Sequence, residues 1–165
     1  LEVANQAFGR RPIAAEERGQ AEIDGILLHG KADRIDRMPD GSLAIVDYKT
    51  GKAPAQKGVD AGFSLQLGLL GLIAEASGFE GISGHSRAHE YWSLSKYGDQ
   101  PGKCVRPDKK MGPDEFLEHA RRNFGDAARK WLTGGEPFTA KLNPAYAPYG
   151  DYDQLMRLEE WYGRK

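Results

Sequence analysis

The sequence predicts an α/β domain: a mixed sheet of about four strands flanked by helices. Three observations predict it. Strand-like segments at residues 21–29, 30–38 and 43–50 follow one another closely, as in a meander. An almost wholly apolar helix-like segment follows at 62–77. A further strand-like run at 87–95 precedes a helix-like segment from Pro113 to about Leu132.

Each element has a local reason. Residues 1–20 are polar and mixed, broken by Arg10-Arg11-Pro12, and read as a linker or the end of a helix. Pro39-Asp40-Gly41-Ser42 is a strong turn between the second and third strands. Leu43-Ala44-Ile45-Val46 is apolar at successive positions, as expected of a central strand covered on both faces. Residues 51–61, rich in Gly, Lys, Pro and Ala, read as a loop. The helix at 62–77 ends at Gly78 and is apolar nearly all round, so it is expected to be buried against the sheet. Residues 97–112 read as a polar loop. Pro113-Asp114-Glu115 opens the next helix, with proline in the first turn and acids beside it. A short last helix is expected at 151–162, with Trp131, Phe138 and Trp161 docking the C-terminal segments.

The 165 residues suffice for one domain with a core, and residues 1–165 are read as a single domain. The chain starts at Leu1, which suggests a piece of a longer protein. Its formal net charge of −1 argues against nucleic-acid binding by bulk charge, so any such contact must be local or supplied by a neighbour. Cys104 is the single cysteine, which excludes an internal disulfide, a four-cysteine zinc site and an iron–sulfur cluster held by this chain. No apolar run reaches the ~20 residues that span a bilayer, no signal peptide is visible, and a cytoplasmic location is expected.

The chemistry concentrates in Gly30-Lys31-Ala32-Asp33-Arg34-Ile35-Asp36 and Ile45-Val46-Asp47-Tyr48-Lys49-Thr50-Gly51. Strand side chains alternate, so Asp47 and Lys49 share a face. An acid and a base at the end of an apolar strand are costly to bury unless something charged joins them. A hard divalent cation, Mg²⁺ or Mn²⁺, would do so, with Asp33 and Asp47 as ligands and the backbone carbonyl of Tyr48 as a third. Such an ion polarises a phosphodiester and acidifies a bound water, and Lys49 beside it would stabilise developing charge. The plainer alternative is a set of surface salt bridges, Asp33 with Arg34 or Lys31 and Asp47 with Lys49.

These two segments, followed by Gln66 on the next helix, resemble the RecB-type branch of the PD-(D/E)XK nuclease superfamily over roughly residues 14–162. Within that branch the likeness is to the C-terminal nuclease domain of AddB-type helicase–nuclease subunits. Tyr146-Ala147-Pro148-Tyr149-Gly150-Asp151-Tyr152-Asp153-Gln154-Leu155 also resembles the close of such chains. The resemblance implies a restriction-endonuclease-like core and a C-terminal fragment of a larger protein. It implies a Mg²⁺-dependent deoxyribonuclease, an exonuclease trimming a single DNA strand fed by an AddA-type helicase–nuclease partner in double-strand break end resection. It assigns Asp33 and Asp47 to the metal, Lys49 to catalysis and Gln66 to positioning. The family's helix tyrosine is Leu70 here, and the upstream histidine of many relatives has no counterpart in the chain, His29 being read as structural. Without clustered cysteines no iron–sulfur cluster is expected. A catalytically silent DNA-binding or docking module of the same fold is the alternative, and a stand-alone RecB-like nuclease a weaker one.

Other residues carry less. Glu16 and Glu17 precede the first strand, where the resembled family often carries an acid near its site, so either is a candidate to approach the metal, a solvated helix end being the plainer alternative; Lys52 and Lys57 are candidate DNA contacts in the loop after the third strand. Arg34 and Asp36 are expected to pair, and Tyr91 and Trp92 to pack. His85 and His89 lack partners at zinc spacing, Ser64 and Ser93 lack a triad, and no Walker A motif is present.

Overall fold

Leu43-Ala44-Ile45-Val46 forms the middle of the molecule. In the computed structural model, which describes residues 9–97 and 100–137, these four side chains are fully buried. They belong to β3 (Leu43–Lys49), flanked in sequence by β1 (Arg11–Ile23), β2 (Ile26–Arg37), β4 (Ser86–Tyr97) and β5 (Gln100–Val105). The sheet order is β1-β2-β3-β4-β5, so β3 is the central strand. All neighbours pair antiparallel except β3 and β4, which are parallel. A parallel pair requires a crossover. Helices α1 (Gln56–Asp60) and α2 (Gln66–Glu75) supply it, and α3 (Pro113–Ala127) packs on α2 and β4. This is the predicted mixed α/β layer, with a restriction-endonuclease-like arrangement of sheet and helices.

Several boundaries differ from the sequence reading. The first hairpin turns at Asp24-Gly25, both with positive φ (51° and 79°), not near Gly30. A two-residue Asp-Gly connection of this hand matches the twist of paired strands. Residues 11–20 are therefore strand, not linker or helix; they are polar because β1 is an edge strand with much of its length exposed. Part of 97–112 is β5, an edge strand that tolerates Pro101 and Gly102. It makes the sheet five-stranded rather than four-stranded. Part of 51–61 is α1, and the helix expected at 62–77 spans Gln66–Glu75. The helix predicted at 151–162, Phe138 and Trp161 lie outside the described residues. Among the described residues no helix is long and apolar enough to cross a membrane.

The helices cover one face of the sheet. Ile35, Leu43, Ile45 and Tyr91 meet Leu67, Leu70, Ile73 and Phe116 there. Gly71 sets how closely α2 seats. A Cβ on it would lie 2.5 Å from Leu117 Cδ2 and 2.8 Å from His89 Nε2. The opposite face carries Arg34 and Asp36 on β2, Val46 on β3, and Glu90 and Trp92 on β4. Asp36 accepts from Arg10 Nε (2.7 Å) and Arg34 Nε (2.6 Å), which realises the expected Arg34–Asp36 pair. Glu90 accepts from Arg10 Nη1 (3.0 Å) and Trp92 Nε1 (2.8 Å). Two cations thus alternate with two carboxylates in a buried network, where loss of one member would strand the others.

A second buried polar chain ties β4 to the turn after β5. His89 bridges Ser86 Oγ (3.0 Å, at Nε2) and Asp108 Oδ2 (3.2 Å, at Nδ1), and Arg106 donates to both Asp108 oxygens. The order serine, histidine, aspartate is that of a hydrolytic triad. Ser86, His89 and Asp108 are at most 1% exposed, so no substrate reaches the hydroxyl and the chain is structural. Burial raises the Asp108 carboxyl's pKa, but hydrogen bonds from His89 and Arg106 outweigh it and leave the pKa below the usual carboxylate value. A carboxyl depressed in the fold stabilises above its unfolded pKa, about 3.9, and that stability is lost as pH falls through the folded value. Asp108→Asn is expected to cost about 1.5–3 kcal/mol at neutral pH and to flatten the acid limb below about pH 4. Urea denaturation across that range measures both; an acid limb identical to wild type would exclude this role for Asp108.

Candidate active site

β3 ends where its apolar run gives way to Asp47, Tyr48 and Lys49. Asp47 is only 3% exposed. Alternation places it with Ile45 on the helix-bearing face, and Lys49 follows on the same side. Lys49 Nζ stands 2.7 Å from Asp47 Oδ2. Gln66, the first residue of α2, closes the ring: its Nε2 donates to Asp47 Oδ1 (2.6 Å) and its Oε1 accepts from Lys49 Nζ (3.1 Å). The crossover delivers this glutamine, because α2 must start above the end of β3 to return the chain to a parallel β4.

Asp33 reaches the same place from β2. The β2–β3 ladder pairs Ile35 with Ile45 and Arg34 with Val46, then stops. Beyond that point the Tyr48 N–H donates to Asp33 Oδ2 (2.9 Å) in place of a ladder bond. Asp33 is therefore anchored to the backbone between Asp47 and Lys49. Asp33 shares its face with Ile35, which is in register with Ile45, so both acids lie on the helix side of the sheet. The surface salt bridges weighed as the alternative for Asp33 do not form: Lys31 pairs with Glu16, and Arg34 with Asp36. The Asp47–Lys49 pair does form, but on a buried carboxylate.

The charge balance at this end of β3 is unusual. Asp47 Oδ2 is buried and receives no directed hydrogen bond, although Lys49 Nζ compensates its charge off the hydrogen-bonding direction. Asp33 Oδ1 has no protein donor among the described residues. A buried carboxylate oxygen with an unused lone pair next to a second carboxylate is a donor set for a hard, water-rich cation such as Mg²⁺. Among the described residues no cluster of three or more His, Cys, Asp or Glu side chains forms, so the two aspartates and a backbone oxygen are what these residues offer. Glu16, drawn to Lys31 on the hairpin, is not part of it. Glu17 lines a separate cavity of about 710 Å³ between the hairpin and Phe79, a cavity that contains none of the four site residues.

Tyr91 completes the surroundings. It is in register with Asp47 on β4, is 1% exposed, and places its ring 5.4 Å from Lys49 Nζ. Burial and then the Asp47 charge push its hydroxyl pKa well above the ordinary tyrosine value, so it stays neutral. An aromatic face beside an ammonium attracts it electrostatically. The sequence reading treats Tyr91 only as packing. The missing signal is the parallel β3–β4 pairing, which no local pattern encodes. Leu70, where the resembling family often has tyrosine, is a buried core residue of α2. Tyr48 and Trp92 project to the other face, their rings meeting edge-on with centroids 5.9 Å apart. Lys57 is exposed on α1, and Lys52 is exposed beside a small cleft next to the site.

No curated protein matches the sequence. Among solved structures the chain is similar to the crystal structure of SSO0001, with 15% identity and a TM-score of 0.41, over 89% of this chain and 66% of that one. The family model of the PD-(D/E)XK nuclease superfamily matches residues 1–147, nearly the whole chain. On that match, the chain belongs to the PD-(D/E)XK nuclease superfamily.

Proposed function

We propose that this chain is a RecB-like nuclease domain of the AddB type, which hydrolyses phosphodiesters in single-stranded DNA with Mg²⁺ or Mn²⁺. The observation that carries the reading is the ring of Asp47, Lys49 and Gln66 at the end of the central strand, with Asp33 hooked in beside it. Superfamily membership supports nuclease chemistry in general. The RecB-type and AddB-type assignment rests on the sequence motifs and the terminal segment. An AddA-type helicase–nuclease partner that delivers the strand during end resection fits a domain with a net charge of −1, which has little long-range pull on DNA of its own.

In this reading Asp33, Asp47 and the Tyr48 carbonyl hold the metal. When bound, the ion would polarise the scissile phosphodiester and lower the pKa of a coordinated water. The chain's own side chains do the rest. Lys49 presents its ammonium to the charge that develops on the phosphoryl oxygens, where a preorganised cation is worth most. Gln66 fixes Lys49 through Oε1 and Asp47 through Nε2, so neither rotates away when the ion pair between them loosens. Tyr91 lays its ring against the Lys49 ammonium, 5.4 Å away, at the strand end. The Tyr48 N–H restrains the Asp33 carboxylate, leaving its second oxygen for the ligand role.

Cleavage of single-stranded DNA by the chain with Mg²⁺ or Mn²⁺ tests the activity. Asp47→Ala and Lys49→Ala are expected to lower the rate by about 10²–10³-fold or more. Cleavage that survives Asp47→Ala would reject the site. DNA binding without cleavage, even with the helicase partner present, would favour the silent docking module. A second test needs no activity. Mg²⁺ is expected to raise the melting temperature of the wild-type chain, since a ligand that binds only the folded state stabilises it. Asp47→Asn should abolish that rise. Its own stability is expected within about 1 kcal/mol of wild type, because it relieves a desolvated charge held for function. Thermal denaturation with and without metal reads both; an equal Mg²⁺ shift in wild type and Asp47→Asn would place the ion elsewhere.

A further inference from the structure

Two consecutive residues of β2 reach Tyr48 from opposite faces of the sheet. Asp33 Oδ2 accepts from its backbone N–H at 2.9 Å, on the side that bears Asp47 and Lys49. Arg34 Nη1 donates to its hydroxyl at 3.4 Å, on the other. The Tyr48 ring stands edge-on to Trp92, its register partner on β4, with centroids 5.9 Å apart and planes at 76°. Trp92 is itself fixed. Its Nε1 donates to Glu90 Oε2 (2.8 Å), and the Arg34 and Arg10 guanidinium groups lie 4.9 and 5.7 Å from the centre of its ring. Trp92 is 3% exposed, whereas Tyr48 is 37% exposed. The tyrosine ring therefore rests on a rigid surface and is not itself sealed in the core.

The backbone at this point has need of such a restraint. Antiparallel pairing of β2 with β3 stops at Arg34 and Val46, so Tyr48 lies beyond the ladder on that side. Its N–H is nonetheless what anchors Asp33, and in the reading above its carbonyl is the third metal ligand. A peptide that swings releases Asp33. A ring pinned on the far face resists that swing. Groups that orient a metal ligand from behind commonly carry 10–100-fold in metal affinity. We propose that Tyr48 is a positioning residue for the metal site: its ring, held by Trp92 and Arg34, fixes the peptide that anchors the Asp33 carboxylate. The inference rests on the metal reading of Asp33 and Asp47.

The test is Mn²⁺ binding to the full chain by isothermal titration calorimetry, well below the melting temperature. Hydrogen exchange of the residue-48 amide, without metal, accompanies it. Tyr48→Ala is expected to weaken Mn²⁺ binding about 10-fold or more and to speed exchange of that amide several-fold relative to its intrinsic rate. Tyr48→Phe keeps the ring on Trp92 and should return both to near the wild-type values. Tyr48→Leu keeps apolar bulk without the ring and should behave as Tyr48→Ala, which covers a failure of the alanine variant to fold. Leu94→Ala, on β4 two residues past Trp92 and 59% exposed, should change neither. A role in stability alone would lower the melting temperature and leave affinity and exchange as in wild type, and that result would overturn the proposal. So would a phenylalanine variant as weak as the alanine one. A wild-type chain that binds no Mn²⁺ would overturn the metal reading and this inference together. Mn²⁺ binding that Asp47→Asn abolishes and Tyr48→Ala leaves intact would overturn the inference alone.

Discussion

The constraint on which the site depends is the burial of one carboxylate, Asp47, at the end of a run of fully buried apolar residues, Leu43 to Val46. A lone charge there would cost several kcal/mol after relaxation. The protein meets that cost with Lys49 two residues on and Gln66 from the crossover helix, both within 3.1 Å of their partners. Each of these needs the fold. Lys49 reaches Asp47 because strand side chains alternate. Gln66 reaches it because β3 and β4 are parallel and the chain must return over the helix face. The compensation stays incomplete at Asp47 Oδ2, which lacks a directed hydrogen bond. That oxygen is the one the proposed cation would take.

The stopping point of the β2–β3 ladder matters as much. Had the pairing run on past Arg34 and Val46, Tyr48 would have sought a carbonyl and Asp33 a solvent-facing rotamer. Because it stops, the Tyr48 N–H takes the Asp33 carboxylate, and two acids from adjacent strands end on one face. The rest of the molecule holds this junction still. Arg10, Asp36, Arg34, Glu90 and Trp92 lock β2 to β4 on one side of the sheet. Ser86, His89 and Asp108 lock β4 to the turn after β5 on the other. Both networks are buried polar structures, so they tolerate little displacement of the strands that carry the site.

Much of this was legible in the chain and some was not, for physical reasons. The apolar run Leu43–Val46 announces a central strand, and alternation then puts Asp47 and Lys49 side by side. The Arg34–Asp36 pair follows from the same rule. β1 escaped because an edge strand needs no continuous hydrophobic face, and its polar residues imitate a linker. β5 escaped because Pro101 and Gly102 argue against a strand unless it lies at an edge. The first turn lies at Asp24-Gly25, inside a segment that reads as one strand because apolar residues (Ile23, Ile26, Leu27, Leu28) flank the turn on both sides. At the site, Gln66 was reached through family resemblance, since nothing in its spacing from Asp47 encodes a contact across a crossover. Tyr91 and the hold of Trp92 on Tyr48 depend on which strands lie side by side, information that no single segment carries.

The most direct test of the account is a crystal structure of the chain with Mn²⁺, read from anomalous density. One peak is expected between Asp33 and Asp47, with Lys49 drawn off Asp47 Oδ2 and still held by Gln66. Saturating Mn²⁺ with no density between the two carboxylates, and the Asp47–Lys49 ion pair intact, would contradict it.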